Sequence, residues 1–271
     1  MMRGPRRDSD IMRTIWILAE GTFGEAVRRK ILNIFLLVGL AMIVLFFAFS
    51  SFSPNQELII MKSTGLGIIG LTGVLISVIL GINLIPNEID KRTIYTILSK
   101  PVHRYEFLLG KFFGGLLTVF VNIFLMGIVF LIAVMIKRGS MQEFSIMDGI
   151  LMIFFQMMLV NAVAILFSVF VSPFVNFFLT FAVYLVGSMS SVTESLAAPE
   201  AHKSLIVQYF FTFVHFIVPN FGNFNIQNPI IHPDVEIINM AQYMQTNMLY
   251  AVLEVAIMML IAILIFDRRE V

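Results

Sequence analysis

The strongest constraint on this chain is a series of six long apolar stretches. Each contains about 16 to 25 residues, and a helix needs roughly 20 residues to cross the hydrocarbon core of a bilayer. The stretches are Ile31–Phe52, Leu66–Ile85, Phe112–Ile136, Ile150–Val171, Phe174–Met189 and Met248–Phe266. Charged residues make up only 13% of the chain, about half of the roughly 25% that soluble domains carry. The sequence therefore predicts an all-α, polytopic membrane protein with six transmembrane helices.

The segment before the first stretch is amphipathic. From Ile11 to Lys30, apolar and small residues recur at spacings of three and four, and Trp16 is a residue type that favours the membrane interface. Those recurring residues are Ile11, Ile15, Leu18, Thr22 and Ala26. We therefore expect residues 1–30 to form a cytoplasmic leader with an interfacial elbow helix, followed by a six-span domain over residues 31–271.

A seventh apolar run, Leu205–Val218, is too short for an ordinary span. It has about 14 residues and contains His215, and such a length suits a re-entrant or interfacial helix better than a transmembrane one. We expect it to form a re-entrant segment before the sixth span, within an extracytoplasmic segment over residues 190–247. The Pro- and Asn-rich sequence that follows it is typical of turns.

The basic residues predict the orientation of the chain. Of the 18 Lys and Arg residues, 14 fall on the side that holds both termini and the stretch 86–111. The other side has Lys62, Lys137, Arg138 and Lys203. Because cytoplasmic loops are enriched in Lys and Arg, both termini are predicted to be cytoplasmic.

The stretch 86–111 is the most densely charged part of the middle of the chain. Glu88 and Arg92 are four residues apart, a spacing that pairs on one face of a helix. An apolar stripe at helical spacing follows, formed by Ile94, Ile97 and Leu98. Ser99 is a candidate N-cap, and Pro101 falls in the first turn of a second helix. The residues alone leave two roles open, a docking element for another protein and a loop whose charges only fix topology.

Several residues of this stretch resemble the cytoplasmic loop between the second and third spans of ABC-2 type transporter permeases. They are Glu88, Thr93, Leu98, Ser99, Pro101, Arg104, Gly110 and Lys111. In that family the loop reads E-x-x-x-G-T, L-L-S-x-P, R and G-K, and Arg92 stands here in place of the Gly, which favours continued helix. The chain looks closest to the NosY-type branch, which serves the maturation of copper nitrous-oxide reductase among other roles.

The resemblance implies a coupling helix that rests in a groove of a partner ATPase. Ile94, Ile97 and Leu98 would fill the groove, Arg92 and Arg104 would pair with carboxylates on its rim, and Pro101 would fix the angle between two short helices. It also implies two ATPase copies, a second permease copy or a homologue, and a prokaryotic cytoplasmic membrane. The function expected is that of a permease subunit of an exporter. ATP and Mg would bind to the ATPase, with no cofactor, metal or nucleic acid on this chain.

Other chemistries find little support in the residues. A phosphate-binding loop requires G-x-x-x-x-G-K-[ST], whereas Gly110-Lys111 is followed by Phe112. The motifs H-E-x-x-H and G-x-S-x-G are absent as well, so we predict that the chain is not an enzyme.

An ion-coupled transporter or channel is the main alternative, and a non-transporting membrane scaffold is another. A carboxylate deep in a span can bind a coupling ion, and Glu254 lies about two turns into the sixth apolar stretch. Asn122 and Asn161 are further candidates for lining a pathway. Amides in spans also form hydrogen bonds between helices, and the sequence leaves both roles open.

Overall fold

The computed structural model describes residues 8–50, 57–84, 103–138, 145–190, 205–226 and 239–268. Within these ranges the chain forms eight α-helices, one short 3-10 helix over Gly222–Phe224, and no strand. The helices are α1 Asp8–Arg28, α2 Lys30–Ser50, α3 Glu57–Leu84, α4 Arg104–Arg138, α5 Ser145–Ser168, α6 Pro173–Ser188, α7 Leu205–Ile217 and α8 Met240–Arg268. The predicted all-α fold is confirmed within these ranges.

Five of the described helices are long and apolar enough to cross a membrane, namely α2, α3, α4, α5 and α8. The fifth predicted span corresponds to α6, an apolar helix of only 16 residues. At 1.5 Å per residue such a helix is about 24 Å long, short of the roughly 30 Å hydrocarbon core. The chain is thus a multi-pass membrane protein, and the sixth span stays a prediction.

Several helices extend beyond the apolar stretches that predicted them. α3 begins at Glu57 rather than Leu66, and α8 begins at Met240 rather than Met248. The added turns contain polar residues such as Lys62 and Gln242. Hydrophobicity identifies only the part of a helix that lies in the hydrocarbon core, so the prediction did not include these polar turns.

Two helices, α3 and α5, form the centre of the bundle. Buried residues make up 72% of the membrane-length stretch in each, against 17% in α2 and 28% in α8. The two approach closely because small residues face each other. A Cβ added at Gly81 would collide with the Cβ of Ala164, and one at Gly73 would lie 3.0 Å from Cγ of Met157.

The amphipathic segment is helical and packs along α4. Ala19, Thr22 and Ala26 are buried, whereas Trp16 is 67% exposed. Gly110 of α4 lies against Leu18, and Gly114 lies against Ala19 and Thr22. Part of the predicted apolar stripe therefore contacts α4, and the position of α1 at a membrane surface stays a prediction.

Candidate functional site

The first turn of α4 is built around a buried carboxylate. His103 precedes the helix, and its backbone N–H donates to Oε2 of Glu106 over 3.1 Å. An acidic side chain at the third helical position that reaches back in this way stabilises the start of a helix. The sequence placed the N-cap at Ser99, but α4 begins at Arg104, and Ser99 lies outside the described residues.

Arg104 connects the start of α4 to the end of α8. Its Nη1 donates to the carbonyl oxygens of Phe266, over 2.9 Å, and of Asp267, over 3.2 Å. The guanidinium carbon lies 5.8 Å from the centre of the Phe266 ring. The last carbonyls of a helix lack partners within it and carry partial negative charge, so a cation placed there stabilises α8. Arg104 was predicted to pair with a carboxylate on the rim of the ATPase groove. In the structure its side chain also caps the end of α8, so the residue would have both roles.

Lys111 connects α4 to α1. It is 5% exposed, and its Nζ lies 4.0 Å from Oε2 of Glu25 and 5.6 Å from the centre of the Phe107 ring. The other oxygen of Glu25 accepts from Nη2 of Arg29 over 2.7 Å. Glu25 thus bridges two cations where α1 meets α4.

The described members of the predicted coupling stretch therefore lie at one junction of three helices. Arg104 contacts α8, while Gly110 and Lys111 contact α1. The remaining members lie outside the described residues. They are Glu88, Arg92, Thr93, Ile94, Ile97, Leu98, Ser99 and Pro101.

The three candidate pathway residues have different environments. Asn122 is half-buried on α4, and its Nδ2 donates to Thr118 O of the same helix over 2.8 Å. Asn161 is completely buried in α5, and among the described residues neither its Oδ1 nor its Nδ2 has a hydrogen-bond partner. Glu254 is half-buried on α8. Asn161 therefore lines no open path in this conformation of the single chain.

A cavity of about 200 Å³ with a mixed polar and apolar lining lies between α3, α5, α6 and the segment that follows α7. Gly67 and Gly70 of α3 face open space there, since a Cβ at either position would meet nothing within 4 Å. Polar groups of Gln156, Tyr184 and Asn225 also line it. None of these residues was predicted as part of a site.

Residues Pro219–Ile226 were predicted to form turns of little specificity. In the structure they form a segment that packs against the helices, which we call the inserted segment. Phe221 and Phe224 are buried, and a backbone hydrogen bond from Phe221 N to Gly187 O, over 3.0 Å, attaches the segment to α6. Gln156 of α5 donates from Nε2 to Phe221 O over 3.0 Å. These buried contacts join the segment to both α5 and α6.

Two tyrosines of α8 attach the same segment. Tyr250 Oη accepts from Asn220 N over 2.8 Å, and Tyr243 Oη donates to Asn223 O over 2.8 Å. The signal in the sequence is a polar stripe at helical spacing within an apolar helix, formed by Tyr243, Asn247, Tyr250 and Glu254. That stripe lies partly outside the apolar stretch that predicted the span.

Comparison with known protein families identifies the kind of protein to which the helix junction, the cavity and the inserted segment belong. Residues 16–271 match the family described as ABC-2 family transporter protein. The chain belongs to this family. It is a membrane permease of an ABC transporter, as the sequence resemblance implied. No curated protein matches the chain.

Membership places this cavity and the inserted segment in a transport subunit, which normally works with an ABC ATPase in a membrane. The matched range begins in α1 and includes the whole stretch 86–111. Both the helix junction and the inserted segment are therefore parts of the permease domain itself.

Tyr250→Phe is expected to loosen the inserted segment of the permease. The change removes the acceptor of the half-buried Asn220 N–H, and losing such a hydrogen bond costs about 0.5–1.5 kcal/mol. Thermal unfolding and the rate of proteolysis near residues 219–226 measure the effect. Tyr209→Phe is the matched control, because Tyr209 is 70% exposed. Equal effects of the two changes would contradict an anchoring role for Tyr250.

Proposed function

We propose that the permease forms, as a dimer, the translocation pathway of an ATP-driven exporter. Separate ATPase subunits, two per dimer, bind the stretch 86–111 and hydrolyse ATP. The observation that carries this proposal is the junction of Arg104, Gly110 and Lys111, which joins the end of that stretch to α1 and α8 in a chain of the ABC-2 family. We include the likeness to the NosY-type branch in the proposal, but this likeness does not identify the transported substrate.

The junction supports a way of transmitting movement. Arg104, Phe107 and Phe266 hold the start of α4 to the end of α8, with the two phenyl rings 6.2 Å apart. Gly110 and Gly114 hold α1 tightly to α4. When the ATPases close on ATP, a push on the stretch 86–111 moves α4 together with these neighbours. Packed helices exchange between discrete arrangements, here an inward-facing and an outward-facing one.

The packing of the single chain supports a dimer. α3 and α5 fill the middle of the described bundle, so the pathway is completed by a second copy or a homologue. α2 and α8 present broad apolar faces, including Leu37, Val44, Leu253 and Leu260. Lipid and the second subunit share these faces.

The orientation follows from the 14-to-4 division of basic residues. Both termini and residues 86–111 face the cytoplasm of a prokaryote, and residues 190–247 face the outside. In this arrangement α1 is the elbow helix, α6 is a short fifth span, and α7 is re-entrant, consistent with its 13 residues.

Single cysteines test this topology, since the chain has none of its own. A cysteine at Ser204 is expected to react with a membrane-impermeant maleimide applied to intact cells, whereas one at Ser99 reacts only after permeabilisation. Labelling at position 99 but not 204 would reverse the orientation.

Glu254 is the residue that favours the alternative function, an ion-coupled transporter or channel, because a carboxylate in a membrane helix is a candidate ion-binding site. In the ATP-driven mechanism energy enters through the stretch 86–111, so Glu254→Gln is expected to keep most ATP-dependent flux. The measurement is flux of candidate cargo into proteoliposomes that contain the permease and its ATPase. ATP or an imposed ion gradient is the only energy source.

Leu253→Gln is the matched control, because it places the same side chain at the neighbouring, 56% exposed position. Gradient-driven flux that requires Glu254, survives in Leu253→Gln and ignores ATP would establish the ion-coupled class instead.

A further inference from the structure

An aromatic groove lies between α1 and α4, away from the junction with α8. Its volume is about 490 Å³, and nearly all of its lining is apolar. The main lining residues are Trp16, Phe23, Phe113, Leu117, Phe120 and Phe154. The rings of Phe120 and Phe154 meet edge to face with centroids 5.4 Å apart. The α4 wall of the groove belongs to a candidate membrane span, so it lies where acyl chains are the surrounding medium.

A notch on α1 with charged residues in its lining continues from this groove. Gly21 and Gly24 form its floor, and a Cβ at either position would meet nothing within 4 Å. Glu20 lines both the groove and the notch, and Arg28 lines the far end of the notch. Both side chains are exposed. They are eight residues apart, about 12 Å along the helix, and they bring opposite charges to one surface.

We propose that the groove and the notch together bind one phospholipid with an amine-bearing headgroup, such as phosphatidylethanolamine. One acyl chain fills the aromatic groove. The headgroup lies in the glycine notch, where Arg28 pairs with the phosphate and Glu20 pairs with the ammonium group. The missing side chains at Gly21 and Gly24 let the headgroup approach the helix backbone.

Charge complementarity selects this occupant. A zwitterionic head matches a carboxylate and a guanidinium on one surface, whereas an anionic head without an amine leaves Glu20 unpaired beside negative charge. Glu25 also lines the notch, but its carboxylate already pairs with Arg29 over 2.7 Å and lies 4.0 Å from Nζ of Lys111. Glu20 and Arg28 are therefore the notch residues that meet the lipid. Lipid binding at this site does not require the ATPase.

Native mass spectrometry of the full-length permease in detergent tests the proposal. The probes are phosphatidylethanolamine and phosphatidylglycerol with identical acyl chains. We expect one ethanolamine lipid per chain to bind about fivefold more tightly than the glycerol lipid, the preference that one exposed ion pair supports. Glu20→Gln should remove this preference, and Arg28→Gln should weaken the binding of both lipids.

A matched pair of substitutions tests the groove itself. Leu117→Trp fills the groove and should weaken the binding of both lipids by about tenfold or more. Leu260→Trp, at a 60% exposed position on α8, should leave the binding of both lipids unchanged. Thermal unfolding of each variant verifies that it is folded. If Leu117→Trp does not fold, the response to Glu20→Gln at an exposed position still decides the headgroup assignment.

Three lipid-binding results would overturn the site. They are equal affinity for the two lipids, unchanged binding in folded Leu117→Trp, and equal losses in Leu117→Trp and Leu260→Trp. Efficient disulfide-linked dimers of Gly21→Cys in native membranes would also overturn it, because a second copy of the chain would then cover the notch.

Discussion

Leu98→Asp is expected to abolish ATP-dependent transport while leaving membrane insertion and folding intact. Leu98 completes the apolar stripe with Ile94 and Ile97, which in our proposal fills a groove of the ATPase. A carboxylate buried there has no partner, and an unpaired charge at an interface costs several kcal/mol. That cost corresponds to a loss of binding of 100-fold or more, at about 1.4 kcal/mol per tenfold. Stimulated ATP hydrolysis in the reconstituted complex measures the effect.

Lys100→Gln is the control for Leu98→Asp. It removes one charge from the same stretch and leaves the apolar stripe untouched, so a loop that only fixes topology would respond to it at least as strongly. Full ATPase binding and unchanged hydrolysis in Leu98→Asp would show that the stretch has no coupling role.

Gly114→Ala is expected to displace α1 from α4. A Cβ at this position would lie 2.5 Å from both the carbonyl oxygen of Ala19 and the Cβ of Thr22. The first of these is a backbone atom and cannot turn aside. Overpacking of this kind costs about 1–3 kcal/mol, and we expect a melting temperature lower by several degrees together with weakened coupling.

Gly67→Ala is the matched control for Gly114→Ala, because Gly67 lies in α3, outside the contact between α1 and α4. Its Cβ would meet nothing within 4 Å, and alanine favours a helix over glycine by up to about 1 kcal/mol. We expect it to leave the melting temperature unchanged or to raise it. If the two glycine substitutions have the same effect, the tight contact between α1 and α4 is not needed for stability.

The sequence predicted the helices whose signal is hydrophobicity itself. α2, α4, α5, α6 and α8 coincide with five of the six apolar stretches to within about eight residues at each end. α6, Pro173–Ser188, reproduces the predicted stretch Phe174–Met189 to within one residue at each end. The contact at its end did not follow from the sequence, because Phe221, whose N–H donates to Gly187 O, lies more than 30 residues further along the chain.

The candidate site was predictable in outline but not in its contacts. The family motif identified Arg104, Gly110 and Lys111, yet the partners Phe266 and Glu25 are distant in sequence and no local pattern pairs them. Gly110 and Gly114 form a small-x-x-x-small pattern that could have indicated a packed helix face. The inserted segment was missed because Asn, Pro and Gly also form ordinary surface turns.

Arg104 shows how the structure changes an experiment. Arg104→Glu was expected from the sequence to uncouple transport by repelling the ATPase rim. In the structure it also places a carboxylate against the carbonyls of Phe266 and Asp267 at the negative end of α8. A loss of function in this variant therefore has two causes, and Leu98→Asp is the cleaner test of docking.

The most direct test of the central claim is affinity purification of the permease from its native membranes, followed by identification of the bound proteins and an ATP hydrolysis assay. We predict that a Walker-motif ATPase is recovered in equal amount with the wild-type chain, hydrolyses ATP, and is lost from Leu98→Asp. Recovery of the intact permease without any ATPase under conditions that preserve other complexes would contradict the account.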